Sequence, residues 1–262
     1  MNAYLALTWM SFKNRKVYKL NVFFRVCSSV LLIVVLREIW TAVYGSGASG
    51  LTVTLADMLT YSVIASIIRT LIPSDFHYDI SQRVQTGDIV LDLQKPWSYL
   101  AMTFFRTLAD LLFGLVYVVI PIAAASLLLF PIGVPTGAQA VWFVLSGLLG
   151  YGIAFSLTFL VGLLAFLFTE VGGFGMIKST ILEICSGAMI PLWLFPAGAA
   201  KVLELLPFQG VFSIPISIYI GKLQGAAMWH GLELQLIWAA SLLALAQVLL
   251  VVFNRLLVTT GG

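Results

Sequence analysis

The chain has 262 residues, of which 61% are hydrophobic and 10% charged, and its mean hydropathy is +1.04. A soluble domain carries roughly a quarter charged residues, so 14 basic and 11 acidic side chains are too few for a water-facing surface on a chain of this length. The composition therefore excludes an ordinary soluble protein and indicates that lipid surrounds most of the chain. The net charge of +3 is small, and we expect no nucleic-acid partner.

Six apolar stretches approach the roughly 20 residues that a helix needs to cross a hydrocarbon core of about 30 Å. Backbone in lipid must satisfy its own hydrogen bonds, and the short alternating segments of a membrane β-barrel are absent. We therefore predict an all-α polytopic membrane protein with a single transmembrane domain over residues 1–262. The predicted spans are residues 22–44, 51–72, 103–130, 138–168, 176–194 and 234–258.

The basic residues predict the orientation of these spans. With a cytoplasmic N-terminus, eleven basic residues lie at the cytoplasmic side and three at the outer side, a bias that matches the positive-inside rule. Six spans then return the C-terminus to the cytoplasm. The cytoplasmic group is Lys13, Arg15, Lys16, Lys19, Arg25, Arg69, Arg83, Lys95, Arg106, Lys178 and Arg255, and the outer group is Arg37, Lys201 and Lys222.

The N-terminal residues 1–21 mix apolar and aromatic side chains with basic ones. This pattern predicts an amphipathic helix on the inner leaflet, with its basic residues near anionic headgroups. The alternative is a solvated basic tail that only sets the topology. The apolar run that follows has no clear small-x-small cleavage site, so we expect a retained first span and not a signal peptide.

The longest polar stretch is residues 73–100, between the second and third predicted spans. It carries Asp75, His77, Asp79, Arg83, Asp88, Asp92 and Lys95. An apolar stripe interrupted at Thr86–Gly87 predicts a short helix that docks on a soluble partner, and the alternative is an ordinary connector. Three potential ligands as close together as Asp75, His77 and Asp79 are weak evidence for a metal, and we expect none.

Residues 195–223, which we call the outer segment, are too apolar for a free loop but are broken by prolines and glycines. Short re-entrant or interfacial helices packed against protein suit this pattern. Pro207, Phe208 and Pro215 are candidates for an outer gate. Passive packing is the alternative role.

Ionisable residues inside predicted spans are the default functional candidates in a membrane protein. Glu183 lies near the middle of the fifth span, Asp57 in the outer half of the second, and Asp110 in the inner half of the third. Each of these acidic residues has either a role in translocation or a structural hydrogen bond. Arg106 lies one turn before Asp110, and this spacing predicts an ion pair within the helix. For Arg25 and Arg69, near inner ends, we expect snorkelling to the interface.

Other motifs are structural or absent. Ser146 and Gly150 form a small-xxx-small face on the fourth span that suits close helix packing. Glycines precede Lys178–Ser179, but a phosphate loop needs glycine immediately before the lysine and Ile177 stands there. No catalytic constellation is visible, so we predict a chain that is not an enzyme and binds no cofactor or metal. Cys27 and Cys185 are expected to be buried and unbonded.

Several stretches, in order and spacing, resemble the permease subunits of type-2 ABC exporters, closest to a small six-span bacterial subfamily without a fused ATPase. The terminal FNRLLVTTGG departs from that pattern by having a single basic residue. The stretches that carry the likeness are YLALTWMSFKNRKVYKLNVFFRV, REIWTAVY, ISQRVQTGDIVLDLQKP, TEVGGFGMIKSTILEICSGAMIPLWLFP and LPFQGVFSIPISIYIGKL.

The resemblance implies a bacterial inner-membrane subunit that works with a separate ATPase dimer, which holds ATP and Mg. Energy would enter through the loop between spans two and three, with Arg83, Gly87, Asp88 and Asp92 as the coupling residues. A second permease chain, identical or homologous, would complete the translocation path within membrane lipid. The competing hypothesis is an ion-driven secondary transporter that acts without an ATPase and depends on Glu183 or Asp57.

Overall fold

The computed structural model describes residues 3–14, 19–46, 53–129, 132–168 and 170–260. All regular secondary structure in this part of the chain is helical. The first half contains α1 (Ala3–Asn14), α2 (Lys19–Gly45), α3 (Leu55–Leu71), α4 (Phe76–Thr86), α5 (Asp88–Leu93), α6 (Tyr99–Gly114) and α7 (Ile120–Leu129). The second half contains α8 (Gly137–Leu163), α9 (Gly172–Cys185), α10 (Ala197–Leu203), α11 (Ser213–Tyr219) and α12 (Gly225–Thr260).

Single turns of other helix types connect several of these elements. A π-helical turn joins α6 to α7, and 3₁₀ turns follow α8 and flank α10. The π turn is Leu115–Val119, and the 3₁₀ turns are Leu164–Phe166, Leu192–Leu194 and Pro207–Gly210.

Four helical stretches of the described chain are long and apolar enough to cross a membrane: Leu55–Thr86, Tyr99–Leu129, Gly137–Phe166 and Gly225–Arg255. They coincide with the second, third, fourth and sixth predicted spans. The first and fifth spans stay predictions. The helix predicted over 176–194 ends at Cys185, and its 14 residues reach only about 21 Å at 1.5 Å per residue.

The protein core is centred on α8. Ile153, Phe155 and Phe159 of α8 are fully buried, between α12 on one side and α4 and α11 on others. Much of α3 is also buried, and its Tyr61 hydroxyl donates to the Gly187 carbonyl at 2.6 Å. Gly187 has φ +83°, a conformation that glycine adopts without steric cost, and it turns the chain just after α9.

The predicted N-terminal helix exists as α1 and packs along α6. The Thr8 hydroxyl donates to the Phe105 carbonyl at 3.0 Å, and the Phe12 ring meets Phe113 edge-on at 5.9 Å between centroids. Trp9 is more than half exposed. The placement of this helix on the inner leaflet stays a prediction, and Arg15 and Lys16 lie outside the described residues.

The expectation that both cysteines are buried is wrong. Cys27 is exposed and Cys185 is partly exposed, and both are free thiols. Their apolar helices turn one face outward, as membrane helices do when lipid and not water is the neighbour.

Candidate functional site: the helical elbow

Helices α4 and α5 form a bent pair, which we call the helical elbow (residues 76–93). Gly87 ends α4 and begins α5 with φ +80°, a left-handed conformation that costs a residue with a Cβ roughly 1–2 kcal/mol. The Thr86 hydroxyl donates to the Asp88 carboxylate at 2.9 Å across this joint. The glycine in the predicted coupling stretch therefore has a physical role, which is to end one helix and begin the next at a left-handed residue.

An ion network fixes the angle of the elbow. Asp92 in α5 accepts from Arg83 in α4 at 2.6 Å and from Lys95 just beyond α5 at 2.6 Å. The Asp92 side chain is only 5% exposed, while Arg83 and Lys95 are about a third or more exposed. Burial alone would raise the pKa of the Asp92 carboxyl, but the hydrogen bonds and positive charges of Lys95 and Arg83 outweigh it and hold that pKa below its ordinary value.

The inner face of the elbow is anchored in the protein core. Ile80 of α4 fits against Gly162 of α8, where an added Cβ would meet the Ile80 Cδ1 atom at 2.6 Å. Ile89 of α5 is 1% exposed and belongs to the same cluster as Phe155 and Phe159. The apolar stripe of the sequence is thus an anchoring face, and it stabilises both arms against α8.

The outer tip of the elbow is exposed. Leu91 is 64% exposed and Val90 42% exposed, and Gln85, Thr86 and Asp88 around them are exposed polar residues. Two apolar side chains within a polar rim are the pattern of a protein contact surface. A rigid base and an apolar tip make this element suited to receive and transmit motion.

The base of the elbow contacts α9. His77 is buried and its ring occupies the space where Gly175 of α9 would carry a Cβ. The Lys178 ammonium of α9 donates to the Ser74 carbonyl at 2.9 Å and to the Thr158 hydroxyl at 3.1 Å. Gly175 therefore permits close packing, and Lys178 connects α8, α9 and the start of α4.

Glu183 is one half of an ion pair between α9 and α3. Its two carboxylate oxygens accept from Arg69 Nε at 2.7 Å and from a second Arg69 guanidinium nitrogen at 2.6 Å. Arg69 therefore has a carboxylate partner on a neighbouring helix, and its snorkelling to the interface stays a prediction. Arg25 likewise donates to the Thr70 carbonyl. The sequence could not predict the Arg69 pair, because its members are 114 residues apart.

The other ionisable candidates are not brought together with Glu183. Asp57 is the third residue of α3, where it forms a capping box with Thr54. Their side-chain oxygens are 2.7 Å apart, and this contact favours the structural role for Asp57. The Arg106–Asp110 pair stays a prediction.

The outer segment is folded back into the protein. Pro207 and Pro215 are buried and Phe208 is partly buried, and the segment bends by 73° between Ala197–Leu203 and Pro207–Tyr219. Such a bend suits a re-entrant segment. Its gating role is not tested by the geometry and stays a prediction.

A buried glutamine, which the sequence analysis missed, holds the outer segment. The Gln235 amide of α12 donates to the Gly210 carbonyl at 2.6 Å and to the Ser146 carbonyl at 3.0 Å, and it accepts from the Ser146 hydroxyl at 2.8 Å. Gly150 lies so close that an added Cβ would meet the Gly210 carbonyl oxygen at 2.6 Å. The predicted close packing at Ser146 and Gly150 is confirmed, and an amide near the start of the sixth apolar run was the missed signal.

Within the described residues, no group of three or more His, Cys, Asp or Glu side chains is close enough to hold a metal ion.

The family described as ABC-2 family transporter protein matches residues 40–261, which include the elbow, the Arg69–Glu183 pair and the outer segment. No curated protein matches the chain. Because the match covers most of the sequence, the chain belongs to the ABC-2 transporter family, as a multi-pass membrane permease that is a transport component and not itself the catalytic ATPase.

Proposed function

We propose that this chain is the membrane subunit of an ATP-driven exporter and that a separate ATPase drives it through the helical elbow. The observation that carries the proposal is the combination of an anchored base and an exposed tip in residues 76–93. Family membership supports the ATPase partner, since ABC-2 permeases normally pair with one. ATP and Mg would be bound by that partner.

A contiguous set of contacts supports transmission from the elbow into the membrane. At its base, His77 and Ser74 contact Gly175 and Lys178 of α9. Two turns further along α9, Glu183 holds Arg69 of α3. Movement of the elbow would thus displace α9 and α3 together, which is how a partner shifts the population of two arrangements.

The remaining assembly follows from the same proposal. Six spans in a bacterial inner membrane, with both termini cytoplasmic, place the elbow on the ATPase side. A second permease chain, identical or homologous, faces this one and completes the route. Exposed apolar faces such as Met176 and Ile184 of α9 give lipid or that second chain a surface to cover. The outer segment would close the exit through Pro207, Phe208 and Pro215.

The test is a gentle affinity purification of the tagged chain from its native membrane, with sequencing of copurifying proteins. We expect a stoichiometric partner with a phosphate loop, and Leu91→Asp should reduce its recovery roughly tenfold because a charge enters the apolar tip. Leu128→Asp, at an exposed apolar position in the third predicted span, is unsuitable as a control because a charge there would disturb membrane insertion. The matched control is Gln82→Asp, an exposed position of the elbow that is not part of the apolar tip of Val90 and Leu91. Recovery of the chain alone, together with transport by the chain reconstituted alone, would contradict the proposal and favour an ion-driven carrier.

A further inference from the structure

A large cavity lies between the outer segment and the first turns of α12. Its volume is about 650 Å³, within the range of about 300–1,000 Å³ that is usual for sites that bind small molecules. Leu192, Leu205, Ile214 and Leu234 contribute an apolar wall. No residue of the elbow lines the cavity, so the proposed coupling does not use it.

Positive charge is concentrated at this cavity. Lys201 and Lys222 line it, and they are two of the three basic residues that the predicted orientation places on the outer side. Lys222 Nζ lies 4.4 Å from the centroid of the Trp193 ring, which positions an ammonium group above an aromatic wall. Burial lowers the pKa of Lys222, and an anionic neighbour would counteract that effect.

The balance of charge favours an anion. Glu204 is the one acidic residue of the lining and faces two lysines, while His230 adds a further nitrogen that can donate or accept. A cationic ligand would meet two ammonium groups. A small free anion would leave the apolar wall unused.

We propose that this cavity binds an anionic amphiphile, with its phosphate or carboxylate headgroup at Lys201 and Lys222 and its hydrocarbon chain along Leu205 and Ile214. Trp193 provides an aromatic ring of the kind that is common at the membrane interface, where such headgroups lie. Basic pockets between membrane helices recognise anionic headgroups by this chemistry. The inference concerns binding alone, so its test needs no ATPase and can fail or succeed independently of the proposed function.

The test measures thermal unfolding of the purified full chain in a non-ionic detergent with increasing phosphatidylglycerol, phosphatidylcholine or inorganic phosphate. We expect phosphatidylglycerol alone to raise the unfolding midpoint. The double variant Lys201→Gln/Lys222→Gln should require roughly tenfold more phosphatidylglycerol for half of the shift. Arg37→Gln, which removes one positive charge from the predicted outer side, is the control, because Arg37 pairs with Glu38 and does not line the cavity, and it should respond like the unchanged chain.

A second pair of variants tests the shape of the cavity with every charge retained. Ala227 lines the cavity and neighbouring Ala226 does not, so Ala227→Phe should abolish the phosphatidylglycerol shift and Ala226→Phe should preserve it. An equal shift with phosphatidylcholine or with inorganic phosphate would overturn the proposal. A phosphatidylglycerol shift unchanged by both the lysine double variant and Ala227→Phe would also overturn it.

Discussion

The helical elbow and the outer segment are both pairs of short helices, yet they are stabilised by opposite means. An ion network at Asp92 fixes the elbow, and its tip at Leu91 remains exposed. In the outer segment, the part around Pro207 and Gly210 is buried against α8 and α12. Neutral hydrogen bonds from the Gln235 amide stabilise it there. The tip of the elbow is thus exposed, whereas this part of the outer segment is enclosed.

The largest effect should come from a change that breaks the enclosed region. Gly150→Ala places a Cβ 2.6 Å from the Gly210 carbonyl oxygen and 3.2 Å from Val211 Cα. Overpacking of this kind costs about 1–3 kcal/mol, and we expect a lower unfolding temperature of the detergent-purified protein. Gly147→Ala, three residues earlier in α8 with nothing within 4 Å, is the control and should match the unchanged chain or slightly exceed it. Equal loss in both variants would contradict close packing against Gly210 as the cause of the effect at Gly150.

A smaller effect on stability, with a larger effect on function, is expected at the elbow. Asp92→Asn leaves Arg83 and Lys95 without their shared carboxylate, at a cost of about 1–2 kcal/mol after allowance for their exposure. We expect normal membrane insertion of the Asp92→Asn variant. In the reconstituted complex, its rate of ATP hydrolysis should no longer change in proportion to its rate of transport. Asp79→Asn, at an exposed position on α4, should leave both rates unchanged. Normal coupling of ATP hydrolysis to transport in the Asp92 variant would show that the ion network at Asp92 is not needed for coupling.

Gly87 tests the joint itself. Gly87→Ala introduces a Cβ into left-handed backbone at a cost of roughly 1 kcal/mol, although the space around it is open. Coupled transport should fall several-fold in Gly87→Ala and much less in Gly87→Asn, because asparagine tolerates this conformation better. If alanine and asparagine behave alike, the backbone conformation of Gly87 is not what matters.

The smallest effect is the dependence of the elbow on pH. Because the folded pKa of Asp92 lies below its ordinary value, its stabilisation is complete above the ordinary aspartate pKa of about 3.9 and is lost as pH falls through the lower folded value. Amide hydrogen exchange around residues 83–95 should therefore change little between pH 8 and pH 5, after correction for intrinsic rates, and accelerate below about pH 4. Acceleration already at pH 6 would contradict this assignment.

Local sequence patterns predicted much of this structure. The apolar runs predicted the four membrane-length helices, and Ser146 with Gly150 predicted close packing. The stripe interrupted at Thr86–Gly87 predicted one short helix, where the structure has two that meet at Gly87. The Arg69–Glu183 and Ser146–Gln235 pairs join residues 114 and 89 positions apart, and no local periodicity contains that information. The sequence pattern also failed to predict that α9 ends early, because the apolar run continues past Gly187 while the backbone turns there.

The most direct test of the account is a photo-crosslinking residue at position 91 in the full chain within its native membrane. We predict that Leu91 crosslinks to a protein with a phosphate loop, whereas the same residue at Val134, exposed in the connection before α8, does not. Efficient crosslinking of that partner from position 134 with none from position 91 would contradict the central claim that the elbow is the contact for the ATPase.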